Sequence, residues 1–197
     1  MSKDASIDPW GWLPPEVPEA MRACLMEPGS LTERLIATGQ GFAVEPLLLG
    51  ASAAHPDEAV ALGLERGADL TARHVALTLD GVTVVVARSY CRLGCPTWQP
   101  ILDRGSRSLG FTLFSGEVEL SRSALEFCVV MTGHPLFELA RQRSAPAAGY
   151  PARRCRFILD GAPLYVCEAF PPALERRLAI GANSGTEAKA APLRRHS

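Results

Sequence analysis

At 197 residues, 47% hydrophobic and 21% charged, the chain has the make-up of one soluble globular domain with room for a sizeable core and tails to spare. Twenty basic against 21 acidic residues leave a net charge of -1, so no global field favours nucleic acid or a membrane surface, and no nucleic-acid module is recognisable. The longest apolar runs are strand-sized, and the start carries Asp4 and Asp8 without an apolar run of signal length, which points to a cytoplasmic protein with no membrane span.

Residues 1–18 read as a proline-rich arm whose tryptophans, Trp10 and Trp12, pack onto the body. A short helix over 18–26 is stopped by Pro28-Gly29. Ser30 with Glu33 fits a capping box opening a helix over 31–38, with Leu31, Leu35 and Ile36 on one side. The first strand spans 42–49, bent or ended near Pro46, and 56–64 is a short helix or a polar excursion. Then comes a hairpin, 73–79 and 82–89, turning at Asp80-Gly81, since both turn residues tolerate positive φ. A regular two-residue loop pairs Leu79 with Val82, Leu77 with Val84, Val75 with Val86 and Arg73 with Arg88, all eight on one face. Two arginines opposite each other repel. Either they share an anion there, or one of them snorkels to water or meets an acid.

After Tyr90 a loop leads to a short helix at 98–103, and 109–114 is a helix or a turn against the core. The segment 117–130 is strand in part. A helix over 135–142 precedes an Ala/Pro/Gly linker, and 132–149 reads as a flap or a solvent loop. A second hairpin turns at Asp160-Gly161 and pairs Phe157 with Leu164, Cys155 with Val166 and Arg153 with Glu168. Pro163 places part of its second strand at an edge. A helix runs to Ile180, and 181–197 is a polar tail expected to be disordered. The expected organisation is an arm (1–18), one domain (19–180) and a tail (181–197). Hairpins join the strands and the helices are short, so the class is α+β, an antiparallel sheet covered by short helices.

The six cysteines read as free, mostly buried thiols. No nucleophile elbow, phosphate loop, dinucleotide fingerprint or metal-type carboxylate cluster is visible. What stands out is Arg73, Arg88 and Glu168 at apolar-face positions. Glu168 is either the ion-pair partner of Arg153 or another arginine, or a hydrogen-bonding group for a ligand oxygen.

Four stretches occur in order: 29–35, from Gly29-Ser30-Leu31; Arg73 with its hairpin to Arg88; Ser108-Leu109-Gly110 with Leu113-Phe114; and Arg153-Arg154-Cys155 through Glu168 to Pro171. Together they resemble the chorismate pyruvate-lyases, over about 21–172. The resemblance implies a six-stranded antiparallel sheet with a buried site under helical flaps. It implies cleavage of chorismate to 4-hydroxybenzoate and pyruvate for ubiquinone synthesis, without metal or organic cofactor, by a monomeric enzyme of the cytoplasm. The family's ring-carboxylate arginine falls on Arg73, its amide donors on Leu31 and Leu109, and its glutamate on Glu168; Arg88 takes a supporting place. The departures are a long 132–149 segment, Cys155 in place of serine, Leu31 where some members have methionine, and Cys91. Two alternatives stay open: a non-catalytic sensor of aromatic carboxylates, and a lyase with another hydroxybenzoate product or enolpyruvyl substrate.

Overall fold

Two Asp-Gly turns organise the sheet. In the computed structural model, which describes residues 8–114, 116 and 119–187, Asp80 and Gly81 have φ of 46° and 75°, and Asp160 and Gly161 have 50° and 75°. Both central residues are left-handed, as a two-residue turn between twisted strands requires. The first turn joins β2 (Asp69–Leu79) to β3 (Val82–Arg92), and the second joins β6 (Tyr150–Leu159) to β7 (Ala162–Ala169). The two hairpins meet through β3 and β7, with Ala87 opposite Glu168 and Ser89 opposite Val166. Outside them lie β1 (Phe42–Ala53) on β2, and β4 (Ser121–Arg122) and β5 (Glu126–Val130) sharing the far edge of β6. The seven described strands fill six positions of an all-antiparallel sheet, because β4 and β5 occupy one position in succession.

The β6–β7 register is the expected one, with Arg153 opposite Glu168. The expected pairing of Arg73 with Arg88 does not form. Thr78 faces Thr83, but Leu77 faces Val85, so Val84 is an extra residue in β3. A bulge of one residue shifts the pleat by one, and everything beyond it changes face. Arg73 therefore pairs with Ser89, and Arg88 pairs with His74 on the other side of the sheet.

Helices cover both faces. Against one face pack α1 (Glu19–Leu25), α2 (Leu31–Ile36), α4 (Gln99–Leu102), α5 (Leu109–Phe114) and the start of α7 (Ala173–Glu187). Their buried Leu25, Leu31, Leu35, Leu102, Leu109 and Leu174 meet Val75, Leu77, Val85, Ala87 and Phe157. Against the other face pack α3 (Pro56–Leu62) and α6 (Pro135–Arg143), whose Leu62, Leu136, Phe137 and Ala140 meet Val86, Tyr90, Tyr165 and Ala169. The flap reading of 132–149 is thus corrected: α6 is a core helix, since its apolar residues complete that second layer.

Several bounds also differ. β1 continues past Pro46 to Ala53, because a register shift between Pro46 and Leu48 absorbs the proline on an edge strand. α7 runs through Gly181 to Glu187, seven residues into the segment read as tail, and 188–197 lies outside the described residues. Trp10 is buried as expected, but Trp12 is 67% exposed. Pro163 lies beyond the stretch where β3 pairs with β7, so its missing N–H costs the ladder nothing on that side. All six cysteines are free, five of them buried. No described helix is long and apolar enough to cross a membrane.

Candidate active site

A cavity of about 50 Å³ lies between the sheet and the short helices α2 and α5. From the sheet, Arg73, Val75 and Leu77 of β2, Ala87 and Ser89 of β3, Val166 and Glu168 of β7, and Arg153, Cys155 and Phe157 of β6 face it. These are alternate residues of adjacent strands, so strand periodicity alone delivers them to one face. From the roof come Leu31 and Thr32 of α2, and Ser108, Leu109, Gly110, Leu113 and Phe114 at α5. Four of the five residues singled out from the sequence, Arg73, Leu31, Leu109 and Glu168, thus line one cavity. Arg88 does not.

Arg73 is only 5% exposed. Burial pulls its pKa down from the usual arginine value, though a guanidinium stays charged near neutral pH. Its Nη2 donates to the carbonyls of Gly105 and Arg107, at 2.9 and 3.0 Å. The loop ahead of α5 therefore fixes one part of the fork and leaves the remaining donors for a ligand. Leu31 and Leu109 are the first residues of their helices, where amide N–H groups lack an intrahelical acceptor. Ser30 Oγ accepts from Glu33 N at 3.3 Å, and Ser108 Oγ accepts from Gly110 N at 3.2 Å. The two helix starts are joined by a hydrogen bond between Thr32 Oγ1 and Ser108 Oγ, 2.5 Å apart. Gly110 permits that approach: a Cβ there would lie 3.0 Å from Thr32 Oγ1 and 3.4 Å from both serine hydroxyls.

Glu168 accepts from Arg153 Nε at 2.6 Å. Arg153 Nη1 in turn donates to the carbonyls of Cys24, Leu25 and Glu27 at the end of α1. Glu168 is the ion-pair partner of Arg153, as one of its two sequence readings has it, and it also faces the cavity. Ser89 faces both Arg73 and Val166, and Glu168 lies two residues along β7 from Val166, so Arg73 and Glu168 start about 12 Å apart with the cavity between them. Arg122 of β4 also lines the cavity and was not singled out from the sequence. Its strand is two residues long, too short to show a facing pattern. Its guanidinium lies 4.9 Å from the Phe114 ring centroid and 5.7 Å from that of Phe157. Burial pushes the neighbouring Cys155 thiol up from its ordinary pKa, so it stays neutral.

On the opposite face Arg88, 1% exposed, grips Glu58 through Nε to Oε1 at 2.6 Å and Nη2 to Oε2 at 2.8 Å. Its Nη1 lies 2.5 Å from His74 Nε2. Burial first, and Arg88 second, push His74 down to about 4, so its ring is a neutral acceptor. Beside them His55, Asp57 and His134 bring three metal-type ligand atoms within 4.8 Å of one another. His134 Nδ1 accepts from Leu136 N at 3.1 Å, which puts the ring hydrogen on Nε2, 3.5 Å from Asp57 Oδ2. A nitrogen carrying hydrogen is no ligand, so the residues do not fit a metal as they stand. Instead Asp57 is an anchor: His55 Nδ1 lies at 2.5 Å and Trp10 Nε1 donates at 2.7 Å. Burial alone would raise its pKa, but the hydrogen bonds from His134, His55 and Trp10 prevail and hold it well below the carboxylate range.

The fold resembles the C-terminal domain of PhnF, with a TM-score of 0.51 at 21% identity, covering 70% of this chain and 87% of that one. Proteins named probable chorismate pyruvate-lyase are closer in sequence. One from Thiobacillus denitrificans is 40% identical over 170 residues, 84% of this chain and 90% of the relative. Another, from Azoarcus, is 36% identical over 189 residues, 88% of this chain and 96% of the relative. The profile of the chorismate lyase family matches residues 12–178, which takes in every strand, the roof and the cavity. The chain belongs to the chorismate lyase family.

Proposed function

We propose that the protein cleaves chorismate to 4-hydroxybenzoate and pyruvate, supplying the ring precursor of ubiquinone. The observation that carries this reading is one cavity with Arg73 and two helix starts toward one end and Glu168 across the sheet from them. A guanidinium and two backbone N–H groups suit a ring carboxylate, and their hydrogen bonds are charge-assisted. Glu168 then faces the hydroxyl at the far end of the ring, where a carboxylate accepts its hydrogen bond.

The chemistry asks little of the protein beyond placement. The C3–O bond breaks, C4 gives up its hydrogen, and a C3=C4 bond forms, which makes the ring aromatic. Transfer of that hydrogen to the methylene of the departing enolpyruvyl group yields pyruvate directly, so atoms balance without a co-reactant. The site holds the conformer in which these atoms meet. As the C3–O bond lengthens the ring becomes electron-poor, and the negative charge of Glu168 at the C4 hydroxyl stabilises it.

The test is purified protein with chorismate, with products identified by chromatography. 4-Hydroxybenzoate and pyruvate in equal amounts are expected. A different hydroxybenzoate would make it a related lyase. Binding of 4-hydroxybenzoate with no turnover would sink the enzymatic reading.

A further inference from the structure

The charged side chains lining the cavity, among the described residues, are Arg73, Arg122, Arg153 and Glu168. Arg73 belongs to the carboxylate end. Arg153 has committed Nε to Glu168 and Nη1 to three carbonyls of α1 and its following turn. Arg122 is different. Its Nη1 donates to Pro28 O, but its Nε is buried with no hydrogen-bond partner among the described residues. A charged group with an unmet N–H, walled by Phe114 and Phe157, is costly to leave as it is. The neutral Cys155 thiol beside it supplies no charge.

Chorismate carries two carboxylates. One is on C1 of the ring. The other is on the enolpyruvyl ether at C3, beside the C4 hydroxyl. With the first at Arg73 and the C4 oxygen at Glu168, the C3 substituent leaves the ring axis sideways, toward a wall. We propose that Arg122 is the receptor for this second carboxylate, a contact that substrate makes and 4-hydroxybenzoate does not. The inference rests on the chorismate reading of the cavity. Its consequence is that Arg122 tells substrate from product and holds pyruvate as it departs, while Arg73 grips whatever aromatic acid is present. The position of Arg122 over two phenylalanine rings, which are themselves set edge to face, keeps the guanidinium in place without an anion in attendance.

The experiment compares two unreactive ligands on wild type, Arg122→Met and Arg122→Lys. One ligand is 4-hydroxybenzoate. The other is 3-(1-carboxyethoxy)-4-hydroxybenzoate, an aromatic ether that keeps both carboxylates and has nothing to eliminate. Arg122→Met should weaken the dicarboxylate at least about tenfold and leave 4-hydroxybenzoate within about twofold, with Arg122→Lys in between. Retained 4-hydroxybenzoate binding also shows that the variant is folded. Equal weakening of both ligands, or of neither, overturns the proposal, as does a wild type that binds only the monocarboxylate. Wild-type turnover of chorismate is scored separately: its absence removes the enzymatic reading, while the ratio of the two affinities still decides the role of Arg122.

Discussion

Arg73 and Arg88 share one hairpin and lie on opposite faces of its sheet, the first in the cavity wall and the second locked to Glu58. Both are almost fully buried, yet one lines the cavity and the other pairs with a buried acid on the far side of the sheet. That separation lets the two be tested apart.

Replacing Arg88 with methionine strands Glu58 in the core. We expect a loss of about 3–5 kcal/mol, seen as a lower urea midpoint, with unchanged 4-hydroxybenzoate affinity in the folded fraction. Replacing Glu58 as well, with leucine, should recover much of the loss, because an apolar pair removes the uncompensated charge.

For Arg73→Met the pattern should invert. Each lost charge-assisted hydrogen bond is worth about 1.5–3 kcal/mol, so 4-hydroxybenzoate binding should weaken by one to two orders of magnitude with little change in urea midpoint. Arg73→Lys should fall between, since an ammonium keeps charge but not the fork. Titration calorimetry that finds wild-type affinity in Arg73→Met would remove Arg73 from the carboxylate site.

Glu168→Gln keeps the shape and removes the charge. Single-turnover conversion of chorismate should slow by about 10²-fold if the carboxylate stabilises the electron-poor ring. Equal rates would leave Glu168 as the partner of Arg153 and nothing more.

His74 makes stability depend on pH. Its folded pKa is depressed to about 4 from an ordinary 6.5. Between these values the unfolded chain takes up a proton that the folded one refuses, so its contribution is complete above pH 6.5 and is lost as pH falls toward 4. His74→Gln retains an acceptor for Arg88 and cannot titrate. Melting temperatures of wild type should fall more steeply than those of His74→Gln across that window, and parallel curves would refute the assignment.

The roof can be loosened without touching the cavity's charges. Thr32→Val removes the bond to Ser108 that ties α2 to α5. The cavity, about 50 Å³, is smaller than the roughly 150 Å³ of a cavity that takes up benzene, so admitting a ring requires its lining to shift, and the short helices α2 and α5 form the roof of that lining. Stopped-flow release of 4-hydroxybenzoate should be severalfold faster in Thr32→Val. Unchanged release would place the exit elsewhere.

The parts of this architecture that were legible in sequence are those fixed by local chemistry. Asp-Gly turns, the Ser30 cap and the period-two pattern of 153–168 depend on neighbouring residues, and each appears in the structure. Val84 was not legible, because a bulge inside an unbroken valine run leaves no mark in the pattern; only pairing with β2 reveals it. Arg122 was hidden by the shortness of β4, and the Asp57 anchor by distance, since Trp10, His55 and His134 meet only through the packing of α3, α6 and the arm.

The Asp57 anchor also bears on how the molecule yields. It ties the N-terminal arm, α3 and α6 to one side of the sheet through groups that converge on Asp57, whereas the other side is closed by helices of four to seven residues apart from α7. Helices that short hold their shape mainly by packing. The sheet therefore has a stiff side and a compliant side, and thermal openings are directed to the one that covers the cavity. Amide exchange should follow this division, with α2 and α5 exchanging through partial openings that leave α6 and the strands protected. Access to the cavity then becomes a local fluctuation against a fixed back wall, so under the proposed function a ring would enter and leave without loosening the groups assigned to grip the next one.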